Sequence, residues 1–377
     1  MKALLAAVIA AVLVGDLVAV AVRATASGGD GGGRPDAAAV RDLQAVLPEL
    51  IAFVERTRGL RFLRPPDVQL LSDAAFERLL REKDPADPFS GDAPDDETYF
   101  GVLRALGLVD GPVDIDAVAA GEFESIVGVY DSRTEILYAR GTEPTPFVRL
   151  VLVHELVHAL DDQHFDLDRR YLDDEEAAAY TAMVEGDAVW VESRWYFSRS
   201  AQEQADIDAE VGSGDGTERS IFYRLLGFPY IVGPDFVEAV RGAGGQRRLD
   251  EAFTAPPVTT EQVLHPERFL ARERARTVAD PAANGRIVDS GVLGEAFLRL
   301  VLETAVDEAV AVRAAEGWGG DSYVAWRSGS RTCVRFNVVM DTSQDTAELL
   351  SALRAWTAAH PGATVRGASP VTVTNCA

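Results

Sequence analysis

Residues 150–167 read LVLVHELVHALDDQHFDL and place two histidines, His154 and His158, four positions apart, with Glu155 directly after the first. Residues four apart on a helix lie on one face, so both imidazoles can reach a single zinc ion at about 2.1 Å. Glu155 lies one residue further round and can act as a general base toward a water molecule beside the metal. Apolar residues flank the motif on both sides. The pattern therefore predicts a buried helix that carries a metal site, with Glu155 as a catalytic residue.

The motif supplies two ligands, and the sequence offers two routes to a third. His164 has the spacing of the metzincin pattern, but Asp161 stands where that pattern has the glycine that ends the helix in a left-handed turn. If the helix continues, six residues turn the chain by about 600°, and His164 points away from the two ligands. The other candidate is Glu185 in AMVEGDAVWVE, which has apolar neighbours and a glycine beside it that would let two helices approach closely. We expect Glu185 to be the third ligand, with His164 as its rival.

The rest of the chain has the pattern of an α+β protein. Apolar residues at helical spacing predict helices over 36–58, 147–164 and about 173–204, and two β-rich runs around 131–133 predict a hairpin before the motif helix. FPYIVGPDFVEAVRGAGG and RRLDEAF are interpreted as a turn and short helices. From about residue 318 onward, two strands, a helix and a strand pair predict an α+β appendix. The acidic residues near Glu185 are interpreted as solvated helix charges: Glu175, Glu176 and Glu192.

The first residues predict export. Lys2 precedes an apolar run from Ala3 to Val22 that only Asp16 interrupts, which is typical of a secretory signal or a membrane anchor. Small residues at 24–26 offer a cleavage site, so secretion and tethering to the outer face of the cytoplasmic membrane both stay open. The glycine-rich stretch that follows predicts a flexible linker at 27–37.

Cysteine content and charge add two further expectations. In an exported protein, the two cysteines, Cys333 and Cys376, are expected to form a disulfide. The formal net charge of −24 would repel nucleic acid phosphates, so nucleic acid is not expected as a partner.

Four segments together carry a family resemblance: HELVHALDDQHF, VEGDA, FPYIVGPDFVEAV and PPVTTEQVLHPERF. Over about residues 125–270 they resemble gluzincin-type, thermolysin-like proteins that bacteria and archaea export. The resemblance implies Zn²⁺ as cofactor and a metallopeptidase, an endopeptidase in preference to an exopeptidase, that cleaves peptides or proteins outside the cytoplasm. It also implies a zincin-like core, in which a small sheet lies above the motif helix and an edge strand binds extended peptide. The hairpin from GVYD to ILYARG is the candidate for that edge.

The resemblance also assigns roles to single residues. In thermolysin-like sequences an aspartate at the position of Asp162 hydrogen-bonds a zinc-binding histidine, which would fix the tautomer of that ring. Tyr230 and His265 are of the types that donate hydrogen bonds to the tetrahedral intermediate in related peptidases. The resemblance likewise supports Glu185 as the third ligand.

The expected organisation has four parts: a signal peptide or anchor at 1–26, a linker at 27–37, a zincin-like domain with a helical second half at 38–317, and a C-terminal α+β subdomain at 318–377. A catalytically silent zinc-binding surface protein with the same fold is the alternative function. Glu155 argues against it, because a structural zinc site closes its fourth position with another protein ligand and needs no general base.

Overall fold

The computed structural model describes residues 37–83, 96–113, 126–140, 143–169, 171, 173–211 and 221–377. The predicted signal or anchor at 1–26 and all but the last residue of the predicted linker lie outside these ranges. Within them, no helix has both the length and the apolar character that crossing a bilayer requires.

The N-terminal elements include a small sheet that packs against the motif helix. They are α1 (Ala37–Arg58), β1 (Asp67–Leu71), α2 (Asp73–Lys83), α3 (Asp96–Ala105), β2 (Gly128–Asp131) and β3 (Ile136–Arg140). The strand order is β1-β3-β2, with β1 parallel and β2 antiparallel to β3. The predicted hairpin is confirmed, and its first strand, β2, lies at the edge of this sheet with all four residues buried.

The motif helix, α4 (Pro146–Phe165), runs without interruption, as predicted. Thr145 caps it, since the threonine hydroxyl accepts a hydrogen bond from the backbone N–H of Val148 at 3.2 Å, and Pro146 occupies the first turn, where no N–H is needed. Every residue from Phe147 to Asp161 is buried except Arg149. The helix is therefore held by packing on all sides, which matches its apolar flanks.

The next helix is shorter than predicted. Instead of one helix to about residue 204, the chain forms α5 (Asp174–Phe197) and α6 (Ala201–Val211). The break has a local cause: the Ser200 hydroxyl accepts from the Glu203 N–H at 3.3 Å, while the Glu203 carboxylate accepts from the Ser200 N–H at 3.0 Å. This capping box starts a new helix at that point.

The segment interpreted as a turn and short helices is α7 (Ile221–Thr254), two helices joined at a kink. The turn expected at FPYIVG is wrong, because the chain is helical there, whereas RRLDEAF does form a short helix after the kink. Two prolines lie inside it, and the helical path breaks only at Gly244 and Gly245. Packing on α5 overrides the local signals: a Cβ placed on Gly186 would come within 2.3 Å of the backbone of Gly233. The glycine beside Glu185 therefore does permit a close helix approach, but to α7. Two short helices follow, α8 (Thr260–Leu264) and α9 (Pro266–Ala271).

The C-terminal part is a five-stranded antiparallel sheet with helices packed against it. Its elements are β4 (Ile287–Gly291), α10 (Gly294–Glu303), α11 (Glu308–Ala315), β5 (Trp318–Ser328), β6 (Arg331–Met340), α12 (Ser343–Ala359), β7 (Thr364–Arg366) and β8 (Val371–Cys376), in the strand order β4-β5-β6-β8-β7. The sheet thus begins with β4, upstream of the boundary expected at residue 318. Residues of α3 join the same hydrophobic core. The α+β class is confirmed.

The predicted disulfide is also confirmed. Cys333 on β6 and Cys376 on β8 are directly opposed in the ladder, with their Cα atoms 4.0 Å apart, and their sulfurs are bonded. A disulfide is consistent with an extracellular protein.

Asp321 gives this C-terminal unit a specific dependence on pH. The buried carboxylate accepts hydrogen bonds from the N–H groups of Leu293 and Gly294 at 2.8 and 2.9 Å and from the Trp318 indole at 2.8 Å. Burial raises the pKa of Asp321 to about 6, even though these donors favour the charged form. The folded protein therefore holds this proton more tightly than the unfolded chain, and the stability that Asp321 contributes declines as the pH rises from about 4 through about 6.

We expect the free energy of unfolding of the wild type, relative to that of Asp321→Asn, to fall by about 3 kcal/mol between about pH 3.5 and about pH 7. Denaturant titrations of both proteins across this range measure the difference. Parallel pH profiles for the two proteins would contradict the raised pKa.

Candidate metal centre

Three predicted ligands converge in the interior between α4 and α5. His154 and His158 come from α4, Glu185 comes from α5, and all three side chains are fully buried. The two histidine Nε2 atoms lie 2.9 Å apart, and Glu185 Oε2 lies 3.2 Å from His154 Nε2 and 3.5 Å from His158 Nε2. Among the described residues, this is the one group of three or more His, Cys, Asp or Glu whose ligand atoms are close enough to share a metal ion.

The donor set and its spacing fit a metal ion. Ligand atoms about 2.1 Å from a tetrahedral zinc ion lie about 3.4 Å from one another, and the three separations here run from 2.9 to 3.5 Å. Two imidazole nitrogens and one carboxylate oxygen also form the protein ligand set of catalytic zinc sites such as that of thermolysin. In addition, Glu185 Oε1 is buried and accepts no hydrogen bond from the described part of the chain. Such an oxygen is costly to bury unless another group satisfies it.

The charge states of His158 and Glu185 suit ligation, whereas Glu185 and Glu192 overcome burial and raise the pKa of His154 well above its usual value, so a metal ion would have to displace a proton from that ring. Burial lowers the pKa of His158, which favours the neutral imidazole that a metal requires. Burial opposes ionisation of Glu185, but the adjacent imidazoles outweigh it and lower the pKa of this carboxyl to about 2. The third ligand is therefore available as a carboxylate.

Glu155 lies beside the triad and contacts the edge strand of the small sheet. Its Oε2 accepts a hydrogen bond from the backbone N–H of Tyr130 at 2.9 Å, whereas its buried Oε1 accepts none from the described residues. A Cβ on Gly128 would lie 2.4 Å from Val151 and 3.0 Å from Glu155, so glycine is what lets β2 approach the helix this closely. Burial raises the pKa of Glu155 to about 8. A carboxyl poised near neutral pH suits proton transfer.

A carboxylate does orient a ligand histidine, but it is Glu192 rather than Asp162. The Nδ1 of His154 lies 2.8 Å from Glu192 Oε2, which leaves Nε2 of the same ring directed at the other ligands. Asp162 instead accepts hydrogen bonds from the Tyr130 hydroxyl and the Leu167 N–H, both at 2.9 Å. The role predicted for Asp162 is therefore wrong: it ties the end of α4 to β2. Seven residues separate Glu192 from Glu185, so the two share one face of α5, and this spacing is a signal that the sequence did contain.

The structure separates the remaining predicted residues. The Tyr230 ring stacks beside that of His154, with centroids 6.2 Å apart and planes at 27°, so Tyr230 lies in the wall of the site. His265 lies between α8 and α9, where its Nε2 is 3.0 Å from Glu295 Oε1 on α10. His164 is also excluded as a ligand, because its Nε2 is 2.8 Å from the carbonyl oxygen of Arg61 at the protein surface.

Glu192 and Asp162 make a matched pair for testing the orienting contact. We expect Glu192→Ala to weaken Zn²⁺ binding by about 10- to 100-fold, the usual cost of losing a carboxylate that orients a metal-binding histidine. Asp162→Ala should leave the affinity unchanged. Competition with a chromophoric chelator measures both. Equal losses in the two variants would show that the His154–Glu192 contact has no special part in metal binding.

Comparison with known proteins gives a match in the C-terminal part of the chain. Residues 282–376 match the family model of a domain of unknown function, DUF8575. This match covers the C-terminal sheet from β4 to β8 and includes none of the triad residues. No curated protein and no solved structure matches the chain. The metal centre is therefore inferred from the triad and its surroundings alone.

Proposed function

We propose that this protein is an exported zinc-dependent metallopeptidase of gluzincin type, with a zincin-like core formed by the small sheet, α4 and α5. One observation carries the proposal: His154, His158 and Glu185 converge in a buried site, and Glu155, which interacts electrostatically with His154 and Glu185, is a buried carboxylate with one unsatisfied oxygen. A silent zinc-binding protein would have no use for that carboxylate.

When bound, Zn²⁺ would polarise the scissile carbonyl and acidify the attacking water. Glu155 would accept the proton of that water and transfer it to the leaving amine. The Tyr130 N–H holds Glu155 Oε2, so Oε1 is the oxygen left for this proton. His154 and His158 would bind through Nε2, and Glu185 through a carboxylate oxygen. Tyr230, in the wall of the site, is the candidate donor to the developing oxyanion.

The edge strand supports a peptide substrate. The backbone carbonyl of Val127 accepts a hydrogen bond from the Arg140 N–H, and that of Asp131 accepts one from the Glu135 N–H. Odd-numbered residues of this segment therefore use their carbonyl groups within the hairpin. The alternation of an antiparallel pair then directs the polar groups of Gly128 and Tyr130 toward the other side of β2. The Tyr130 N–H already donates to Glu155, so the groups for a peptide on this side are the N–H and C=O of Gly128 and the C=O of Tyr130. An extended peptide could pair along this side, above the motif helix.

Incubation with a diverse peptide library tests the proposal. We expect cleavage that a chelator abolishes and added Zn²⁺ restores, with products that show internal cuts. A folded, zinc-loaded protein that cleaves no peptide in such a library would favour the silent zinc-binding alternative.

A further inference from the structure

Arg58, the last residue of α1, has no exposed surface. Its Nε forms an ion pair with Asp161 Oδ1 at 2.9 Å and a second with Asp187, and its Nη1 donates a hydrogen bond to Asp250 Oδ1 at 2.8 Å. The rings of two phenylalanines lie 5.2 and 5.6 Å from the guanidinium carbon. Both aspartates approach the same Nε without hydrogen-bond geometry, so these two contacts are electrostatic, whereas Nη1 makes a directional hydrogen bond to Asp250.

Two of the three carboxylates belong to the helices that carry the metal ligands. Asp161 is on α4, about one helical turn beyond His158, and Asp187 is on α5, two residues beyond Glu185. Both are fully buried. Arg58 therefore bridges α4 and α5 close to the level at which the ligands leave these helices.

Burial and the neighbouring Asp187 raise the pKa of Asp161 well above its usual range, so without a cation between them these two side chains would either repel each other as carboxylates or share a proton. Like charges repel strongly in the low-dielectric interior. Arg58 offsets this repulsion, and Arg241 of α7 adds a weaker positive charge, with its Nη1 4.0 Å from Asp187 Oδ1. The third partner, Asp250, is partly exposed and anchors the guanidinium to α7.

We propose that Arg58 is a positioning residue for the metal centre. By pairing with Asp161 and Asp187, it sets the spacing of α4 and α5 so that their ligand atoms converge. Helix α1, which is remote from the triad in sequence, is thereby part of the metal centre. The inference rests on the proposed function only in requiring that the triad binds a metal, and it does not depend on catalysis.

Arg58→Met tests this role, because it removes the charge and the hydrogen-bond donors but keeps much of the volume. We expect Zn²⁺ affinity to fall by about 10- to 100-fold in folded protein, the range found when contacts that orient metal ligands are lost. Affinity is measured by chelator competition, and circular dichroism of the metal-free protein checks the fold. Peptide cleavage is not needed as a readout.

Arg268 provides the matched control. Its Nη1 also faces three carboxylates, Glu261 at 3.1 Å, Glu273 at 2.6 Å and Asp341 at 2.8 Å, but none of them is on α4 or α5. Arg268→Met should lower the thermal stability and leave Zn²⁺ affinity at the wild-type value. An equal loss of affinity in both variants would mean that the effect is general destabilisation, and it would overturn the inference.

The outcomes separate this inference from the proposed function. Wild-type Zn²⁺ affinity in folded Arg58→Met overturns the inference alone, whereas a wild-type protein that binds no Zn²⁺ overturns both. If Arg58→Met does not fold, Asp250→Asn loosens the anchor of the guanidinium without removing its charge. We then expect affinity to fall by about threefold or more, and unchanged affinity in that variant overturns the inference.

Discussion

Replacing Glu155 by glutamine is expected to abolish peptide hydrolysis while metal stays bound. Glutamine keeps the size of the side chain and can still accept the hydrogen bond from the Tyr130 N–H, which is 2.9 Å from Glu155 Oε2. It cannot accept a proton from water, and loss of a general base typically lowers the rate by about 10²- to 10⁴-fold. The measurements are kcat/KM on a cleaved peptide and the zinc-to-protein ratio.

Glu308→Gln, on the exposed side of α11, is the control and should retain wild-type kcat/KM. A fully active Glu155→Gln protein would refute the mechanism. Loss of both metal and activity would show that Glu155 acts as a ligand instead of a base.

Removal of Glu185 should have the largest effect on metal binding. Glu185→Ala takes away one of three ligands from a fully buried site. Loss of a residue that only orients a ligand lowers metal affinity by at most roughly 100-fold, and we expect Glu185→Ala to lower Zn²⁺ affinity by more than that. His164→Ala should bind Zn²⁺ like the wild type, because His164 faces the Arg61 carbonyl at the surface. Zinc content after dialysis compares the two variants. If only His164→Ala loses zinc, the assignment of the third ligand is wrong.

The metal ligands could be predicted from the sequence because the relative positions of the two histidines are set by residues close together in the chain. The spacing of His154 and His158 places both on one face of any helix, and Asp161 removes the glycine turn that His164 would need. The structure agrees on both points, since α4 continues to Phe165. Glu185 followed from its apolar setting and from the family resemblance together.

The residues that support the ligands could be predicted only in part. Once Glu185 is assigned as a ligand, the seven-residue spacing places Glu192 on the same face of α5. That Asp162 bonds to Tyr130 and Leu167 instead of a ligand histidine depends on tertiary contacts that no short-range pattern records. Arg58 ends an otherwise ordinary helix, where a cation normally interacts with the helix dipole in solvent. Its burial becomes apparent only when the partners on α4, α5 and α7 are assembled.

Parts of the fold were missed for a related reason. The prolines of α7 signal local breaks, but close packing of Gly233 on Gly186 keeps the helix continuous through Pro229 and Pro234, and the helical path breaks only at Gly244 and Gly245. His265 shows the same limit for a functional residue. The family resemblance implies a part in catalysis, whereas the fold pairs it with Glu295 on α10, in the C-terminal unit.

Anomalous X-ray diffraction at the zinc absorption edge, from crystals of the wild-type protein grown with Zn²⁺, tests the central claim most directly. We predict one strong peak within bonding distance of His154 Nε2, His158 Nε2 and a carboxylate oxygen of Glu185, with the carboxylate of Glu155 beside the metal and outside its ligand set. A peak bound by His164, or a well-ordered triad with no peak, would contradict the metal centre described here.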